Sequence, residues 1–149
     1  SQAEIFDGAN YIVVPAAFNS SGAIEWLSRF AGAIGCGQVV QVDAVEHDRI
    51  IAYTSNLPHA LAVALINSAS YNENTKYFIA GSFRDGTRVA DINPYLWSDL
   101  FLANRENVLQ EVAAFSQQLE RWRKALTAAD AQALQEMMRE AAVKRKDLY

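Results

Sequence analysis

Apolar residues recur along this chain at two different spacings, which predict two kinds of secondary structure. Residues 11–15 form an apolar, β-rich run that ends in a proline, and residues 38–42 form a second short run of this type. Both runs predict short strands. From Asp43 onward, apolar residues recur mostly at steps of three and four, as on one face of a helix. We therefore predict a mainly α-helical protein with one or two short N-terminal strands.

The partner of the first strand is left open by the sequence. Two short strands are too few for an independent sheet. Either they pair with each other, or the first belongs to a sheet whose other strands are missing. We favour the second arrangement, because the run 11–15 is apolar throughout, as in a strand buried on both faces.

Polar residues predict where the first helices begin. Residues 19–21 offer caps for a helix that the glycines at positions 35 and 37 should end. Asp43, with Glu46 three residues later, resembles a capping box and should start the next helix.

Pro58 falls where it should break that second helix and restart it. Ser55 or Asn56 would be the new cap, with Pro58 in the first turn. The helix that follows is apolar nearly all round, so we expect it to be buried among other helices.

The C-terminal half carries one long apolar stripe. Asn93 and Pro94 repeat the helix start signal, and the stripe 96–122 then runs over roughly seven helical turns. A helix of this length indicates pairing with a partner. Thr127, with Asp130 three residues later, should cap a last helix that ends in the basic run 144–146.

Composition narrows the function classes. The chain has 149 residues, enough for one domain, and a formal net charge of −4, which argues against nucleic-acid binding. Its apolar runs fall short of the ~18–20 residues of a membrane span. The single cysteine, Cys36, indicates a reducing compartment such as the cytoplasm. With only two histidines, the sequence has no zinc-like ligand spacing.

Two features could bind an anion. His59 lies just inside a predicted helix start, where free N–H groups and the helix dipole favour negative charge. Arg84 and Arg88, four residues apart, would share one helix face and could grip a carboxylate. The plainer alternatives are a hydrogen-bonded histidine in a helix junction and a surface ion pair between these arginines and Asp85 or Asp91.

Four ordered segments resemble motifs of the prephenate dehydrogenase family, and together they cover nearly the whole chain. Segment 6–15 (FDGANYIVVP) resembles the end of that family's nucleotide-binding domain. Segments 47–52 (HDRIIA) and 55–59 (SNLPH) resemble its HDR…SHLPH motif. Segments 81–88 (GSFRDGTR) and 94–104 (PYLWSDLFLAN) resemble GGFRDxTR and PxMWxDIFxxN.

The resemblance implies the NAD(P)-dependent oxidative decarboxylation of prephenate to 4-hydroxyphenylpyruvate, a step of tyrosine biosynthesis. Members of the family carry a catalytic histidine and a Gly-rich cofactor loop in an N-terminal Rossmann domain, and neither occurs here. Residues 1–18 would then be the end of that truncated domain, and residues 19–149 the all-helical C-terminal domain. We expect this helical domain to form a homodimer and the chain alone to be inactive, with NAD or NADP bound mainly by the N-terminal domain.

The resemblance also implies roles for individual residues, none of them catalytic. Arg88 should hold a substrate carboxylate, and His59 should contact the substrate. The pocket would be shaped by Asp48, Gly81, Asp85 and Trp97.

Two departures from the family pattern bear on the substrate. Asn56 replaces the first histidine of SHLPH, and Ser82 replaces the second glycine of GGF. Either change could alter affinity or the choice between prephenate and arogenate. The rival functions are an arogenate-specific dehydrogenase, a non-catalytic dimerisation or ligand-sensing domain, and a purely structural helical bundle.

Overall fold

The computed structural model describes residues 3–148, and most of them are helical. The strands and longer helices are β1 (Asn10–Val13), α1 (Ser21–Ala33), β2 (Gln38–Gln41), α2 (Ala44–Ile51), α3 (Leu57–Ile66), α4 (Gly81–Thr87), α5 (Pro94–Ala103), α6 (Arg105–Thr127) and α7 (Ala131–Lys146). A π-helical turn, Ala52–Asn56, joins α2 to α3, and short 3₁₀ turns occupy Ala3–Phe6, Thr75–Tyr77 and Arg88–Ala90. The predicted fold class, mainly helical with short N-terminal strands, is confirmed.

The two strands pair with each other. β1 and β2 are parallel, in a register that sets Asn10 opposite Gln38 and Val13 opposite Gln41. Parallel neighbours need a crossover connection, and α1 supplies it by packing on both strands. The arrangement that the sequence analysis ranked second is therefore the one observed. This β1–α1–β2 unit runs across residue 18, and the domain boundary expected there stays a prediction.

The helix starts follow the predicted caps at three places. The side chain of Ser20 accepts a hydrogen bond from the Ala23 amide at the start of α1. Asp43 accepts one from the Glu46 amide, 3.0 Å away, at the start of α2. Asn93 accepts bonds from two amides at the start of α5, which fixes the direction of the helix that carries Trp97.

Pro58 lies in the first turn of α3 with Asn56 at the N-cap position, as predicted, but the chain stays helical from α2 into α3 instead of breaking. Asn56 keeps helical backbone angles and its side chain makes no cap hydrogen bond, and the same is true of Ser55. Instead the turn widens, and the amide of Leu57 donates to the carbonyl of Ala52, five residues back. A widened turn accommodates the proline ring, which would collide with the carbonyl four residues back in a regular helix. The chain therefore passes from α2 into α3 with Asn56 turned inward and buried.

The long apolar stripe is divided between two helices rather than forming one. The helix breaks at Asn104, whose backbone leaves the helical region with φ −112° and ψ 28°. At this break the Asn104 side chain bonds to α2 and to the π turn instead of facing solvent. The predicted cap of the last helix was also wrong. Thr127 ends α6, and Asp130 caps α7.

Contacts divide the chain into two compact units, with the boundary between Asn107 and Val108. The first unit holds the strands and α1–α5, and the second holds most of α6 together with α7. The buried apolar side chains of the described residues are mostly small; they are Val13, Ala31, Ala52, Leu57, Ala62, Ala125 and Met137. α3 is less buried than expected, since Leu65 near its end is 48% exposed. In the described part of the chain, no helix has both the length and the apolar character needed to cross a membrane.

Candidate functional site

An aromatic pair forms the centre of the candidate site. His59, in the first turn of α3, stacks on Trp97 of α5 with ring centroids 3.7 Å apart and ring planes at 28°. Phe101, one turn further along α5, supports the indole from 5.6 Å. Both rings of the stacked pair are half-buried, so each retains a face or edge that a ligand can reach.

The hydrogen bond of His59 fixes its tautomer. Nδ1 lies 2.8 Å from the carbonyl oxygen of Ser55, one turn back through the widened helix. A carbonyl only accepts, so Nδ1 carries the hydrogen. Nε2 makes no hydrogen bond to any residue of 3–148 and stays available. When the ring is neutral, Nε2 accepts a hydrogen bond, and when the ring is protonated it donates one.

A cleft of about 240 Å³, with both apolar and polar lining residues, opens between α2, the π turn and α5. Trp97 forms part of its wall, and Asp48 lies at its rim with its carboxylate 2.9 Å from Nδ1 of His47. Its lining residues are His47, Asp48, Ile51, Ser55, Asn56, Trp97, Leu100, Ala103 and Asn104. The fold therefore brings Asp48 and Trp97, expected to line the substrate pocket, to one cleft.

Asparagine side chains tie this cleft together. Asn104 Nδ2 donates to the main-chain oxygen of Asp48 over 2.7 Å and makes a longer contact of 3.5 Å with Oδ1 of Asn56. Asn107 donates in turn to Oδ1 of Asn104 over 2.8 Å. Asn56 is only 4% exposed and is the one buried polar residue among those described. These contacts join segments about fifty residues apart, so the sequence motif that ends in Asn104 could not reveal them.

The arginine-bearing segment, residues 81–90, packs on α3. α4 and the 3₁₀ turn Arg88–Ala90 both pack against that helix. Gly81, Asp85 and Arg88 are exposed, and no hydrogen bond, ion pair or ring contact among the described residues joins them to His59, Trp97 or Asp48. A side chain at Gly81 would meet nothing within 4 Å, so space does not require a glycine there.

The surface ion pair proposed as the plainer alternative for the arginines is not formed. Within residues 3–148, neither Arg84 nor Arg88 lies within 4.0 Å of a carboxylate oxygen or makes a side-chain hydrogen bond. Both guanidinium groups are exposed and available. They are therefore free to bind an external anion.

A family model described as "Prephenate dehydrogenase, dimerization domain" matches residues 43–140, about two thirds of the chain. The chain belongs to the prephenate dehydrogenase family. The resemblance found in its motifs is thereby confirmed, and the matched region begins at Asp43, the cap of α2.

Relatives of known name agree with this assignment. The chain is 35% identical to the cyclohexadienyl dehydrogenase of Zymomonas mobilis over 93% of its own length and 49% of that protein. It is 29% identical to the prephenate dehydrogenase of Bacillus subtilis over 87% of its length and 36% of that protein. The chain thus spans half or less of the length of these dehydrogenases.

A solved structure shows the same fold. The prephenate dehydrogenase of Aquifex aeolicus, in complex with hydroxyphenyl propionate and NAD+, superposes with a TM-score of 0.81 at 28% identity. The match covers 96% of this chain and 51% of that one.

Among the described residues of this prephenate dehydrogenase domain, no three His, Cys, Asp or Glu side chains gather as metal ligands. Within residues 3–148, the first turn of the β–α–β unit also lacks the glycines of a dinucleotide site. The connection from β1 to α1, residues 14–20, contains no glycine that would let the backbone approach a pyrophosphate.

Proposed function

We propose that this chain is the substrate-binding and dimerisation part of an NAD(P)-dependent prephenate dehydrogenase. The reaction is the oxidative decarboxylation of prephenate to 4-hydroxyphenylpyruvate in tyrosine biosynthesis. The observation that carries the proposal is the His59–Trp97 stack, which leaves Nε2 of His59 available beside the cleft that Asp48 and Trp97 line.

The chemistry of the substrate suits the residues assigned to it. Prephenate carries two carboxylates and a ring hydroxyl. Arg88, exposed and unpaired among the described residues, can hold a carboxylate through two parallel hydrogen bonds. His59 can accept a hydrogen bond from the hydroxyl when its ring is neutral. Asp48, Asp85, Gly81 and Trp97 complete the pocket in this proposal.

The hydride acceptor in this proposal is NAD or NADP, and the β1–α1 connection does not fit the pyrophosphate of such a cofactor. Because the β1–α1 connection contains no glycine, we assign the cofactor to the portion of the relatives that this chain does not span. We place residues 1–18 at the end of that nucleotide-binding domain. For the same reason we expect no turnover by this chain alone.

The amount of surface left exposed supports a homodimer. The chain exposes 11776 Å². Even two separate globular proteins of the sizes of its two units would expose only about 9,000 Å² in total. Part of the excess is an apolar stripe on α6, formed by side chains that are 39–56% exposed: Leu109, Val112, Leu119 and Trp122. We expect an obligate dimer to bury well over ~1,000 Å² of total surface, and this stripe would form the apolar part of its interface.

The deciding experiment is a dehydrogenase assay on the full-length gene product, with prephenate and arogenate as substrates and NAD and NADP tested separately. Turnover with prephenate supports the proposal, and turnover with arogenate alone supports the arogenate-specific alternative. A folded, cofactor-binding protein that turns over neither substrate would have a non-catalytic sensing role instead. A cytoplasmic location, predicted from the single cysteine, is part of the same proposal.

A further inference from the structure

Three asparagine side chains are joined end to end at the cleft. Asn107 Nδ2 donates to Oδ1 of Asn104 over 2.8 Å, and Nδ2 of Asn104 faces Oδ1 of Asn56 at 3.5 Å. We call Asn107, Asn104 and Asn56 the amide relay. In each contact the NH₂ group of one asparagine faces the side-chain oxygen of the next. The NH₂ groups therefore all point along the row from Asn107 toward Asn56.

The main-chain oxygen of Asp48 fixes that sense. It accepts from Nδ2 of Asn104 over 2.7 Å, and a carbonyl oxygen cannot donate. If the amide of Asn104 were reversed, two oxygens would face each other at this distance. Asn104 therefore directs its NH₂ group toward Asp48 and Asn56. The side-chain oxygen of Asn56 is the group that faces this donor.

The remaining group of the relay is the NH₂ of Asn56. It donates to no residue of 3–148, although Asn56 is only 4% exposed. In that part of the chain every side-chain nitrogen or oxygen shut off from solvent has a partner. The NH₂ group must therefore reach the surface of the cleft, which Asn56 lines. The donor is therefore available to a hydrogen-bond acceptor that enters the cleft.

We propose that Asn56 donates a hydrogen bond to a carboxylate oxygen of the ligand in this cleft, and that Asn104 is the positioning residue that sets this polarity. The identity of the ligand rests on the proposed function. The orientation of the three amide side chains rests on their hydrogen bonds alone. The acidic group at the rim, Asp48, is hydrogen-bonded to His47.

The test measures binding of hydroxyphenyl propionate, an aromatic carboxylate, by calorimetry on the full-length gene product. Asn56→Ala removes the donor and should weaken binding about tenfold or more. Asn104→Leu has a similar volume but no amide, so the orientation of the Asn56 side chain is no longer fixed, and binding should weaken by no more than it does in Asn56→Ala. The double variant should bind within about twofold of Asn56→Ala, because Asn104 acts only through Asn56. Asn74→Leu, the same change at an exposed position, should bind as the unaltered protein does.

A merely structural role of Asn104 would lower the melting temperature and add its loss of affinity to that of Asn56→Ala. Additive losses, unchanged binding by Asn104→Leu, or no binding by the unaltered protein would each overturn the relay. Turnover with prephenate, measured in parallel, reports on the proposed function separately. Binding that follows the relay pattern without turnover would refute that function and leave the relay in place.

Discussion

His59 and Trp97 lie far apart in the sequence, yet their rings stack at a centroid distance of 3.7 Å. The contact joins the first turn of α3 to the first turns of α5, and the Ser55 carbonyl fixes the tautomer of the imidazole. The imidazole of His59 therefore presents one nitrogen, Nε2, in a defined orientation.

Substituting His59 with Asn or with Gln tests the roles of its two ring nitrogens separately. Asn at position 59 places its NH₂ where Nδ1 lies and keeps the bond to the Ser55 carbonyl, whereas Gln reaches the position of Nε2. We expect His59→Gln to retain several-fold more substrate affinity than His59→Asn. Both variants should lose similar stability, since both lose the stack on Trp97, worth about 0.5–1.5 kcal/mol. Steady-state KM values and thermal melts of the full-length protein measure both effects. Equal KM values for the two variants would show that Nε2 does not contact the substrate.

Arg88 should matter for binding and not for folding. Its guanidinium has no partner among the described residues, so Arg88→Ala should leave the melting temperature unchanged. Catalytic efficiency should fall by the equivalent of about 2–4 kcal/mol, because the substrate carboxylate loses its partner. Arg88→Lys should fall between the two, since an ammonium cannot form the paired hydrogen bonds. An Arg88→Ala enzyme with full catalytic efficiency would remove this residue from the site.

The apolar stripe on α6 should hold the dimer. Leu119→Glu places a charge on a side chain that is 55% exposed in the single chain and covered in the proposed dimer. We expect the mass from light scattering to fall from dimer to monomer at micromolar concentration. Gln117→Glu, on an exposed position of the same helix, is the matched control and should stay dimeric. A monomeric unaltered protein would contradict the dimer itself.

One surface pair makes a pH-dependent contribution to stability. The hydrogen bond from Arg123 holds the pKa of Glu120 below its ordinary value, assisted by the positive charges of Arg123 and Lys124. A carboxylate with a lowered folded pKa stabilises the fold above its unfolded pKa, about 4.3, and loses that contribution as the pH falls through the folded pKa. Glu120→Gln should therefore lower the melting temperature slightly at pH 7 and not near pH 2.

The matched control for Glu120 is Glu111→Gln, which removes a carboxylate without a described partner from the same helix. Salt should reduce the effect at Glu120, because the pair is fully exposed. An effect of Glu120→Gln that persists at low pH would show that packing, rather than the ion pair, is responsible.

Short-range sequence signals predicted where several of the helices begin. Asp43 and Asn93 begin helices as predicted, because a cap is a hydrogen bond between residues two or three apart and is specified by the sequence nearby. The motifs around His59 and Arg88 were enough to identify the family, which the match to residues 43–140 confirms. The roles given to those two residues stay predictions.

Contacts between distant segments were decided only by the tertiary structure. The proline signal at residue 58 predicted a break, but packing holds a widened turn there and buries Asn56. The apolar stripe predicted one long helix, but Asn104 interrupts it to bond with Asp48 and the π turn. Periodicity records which residues share a face of a helix, whereas the partner of a side chain depends on how the helices pack. The sequence therefore determined most of the elements and the family, and the fold decided which polar groups meet at the cleft.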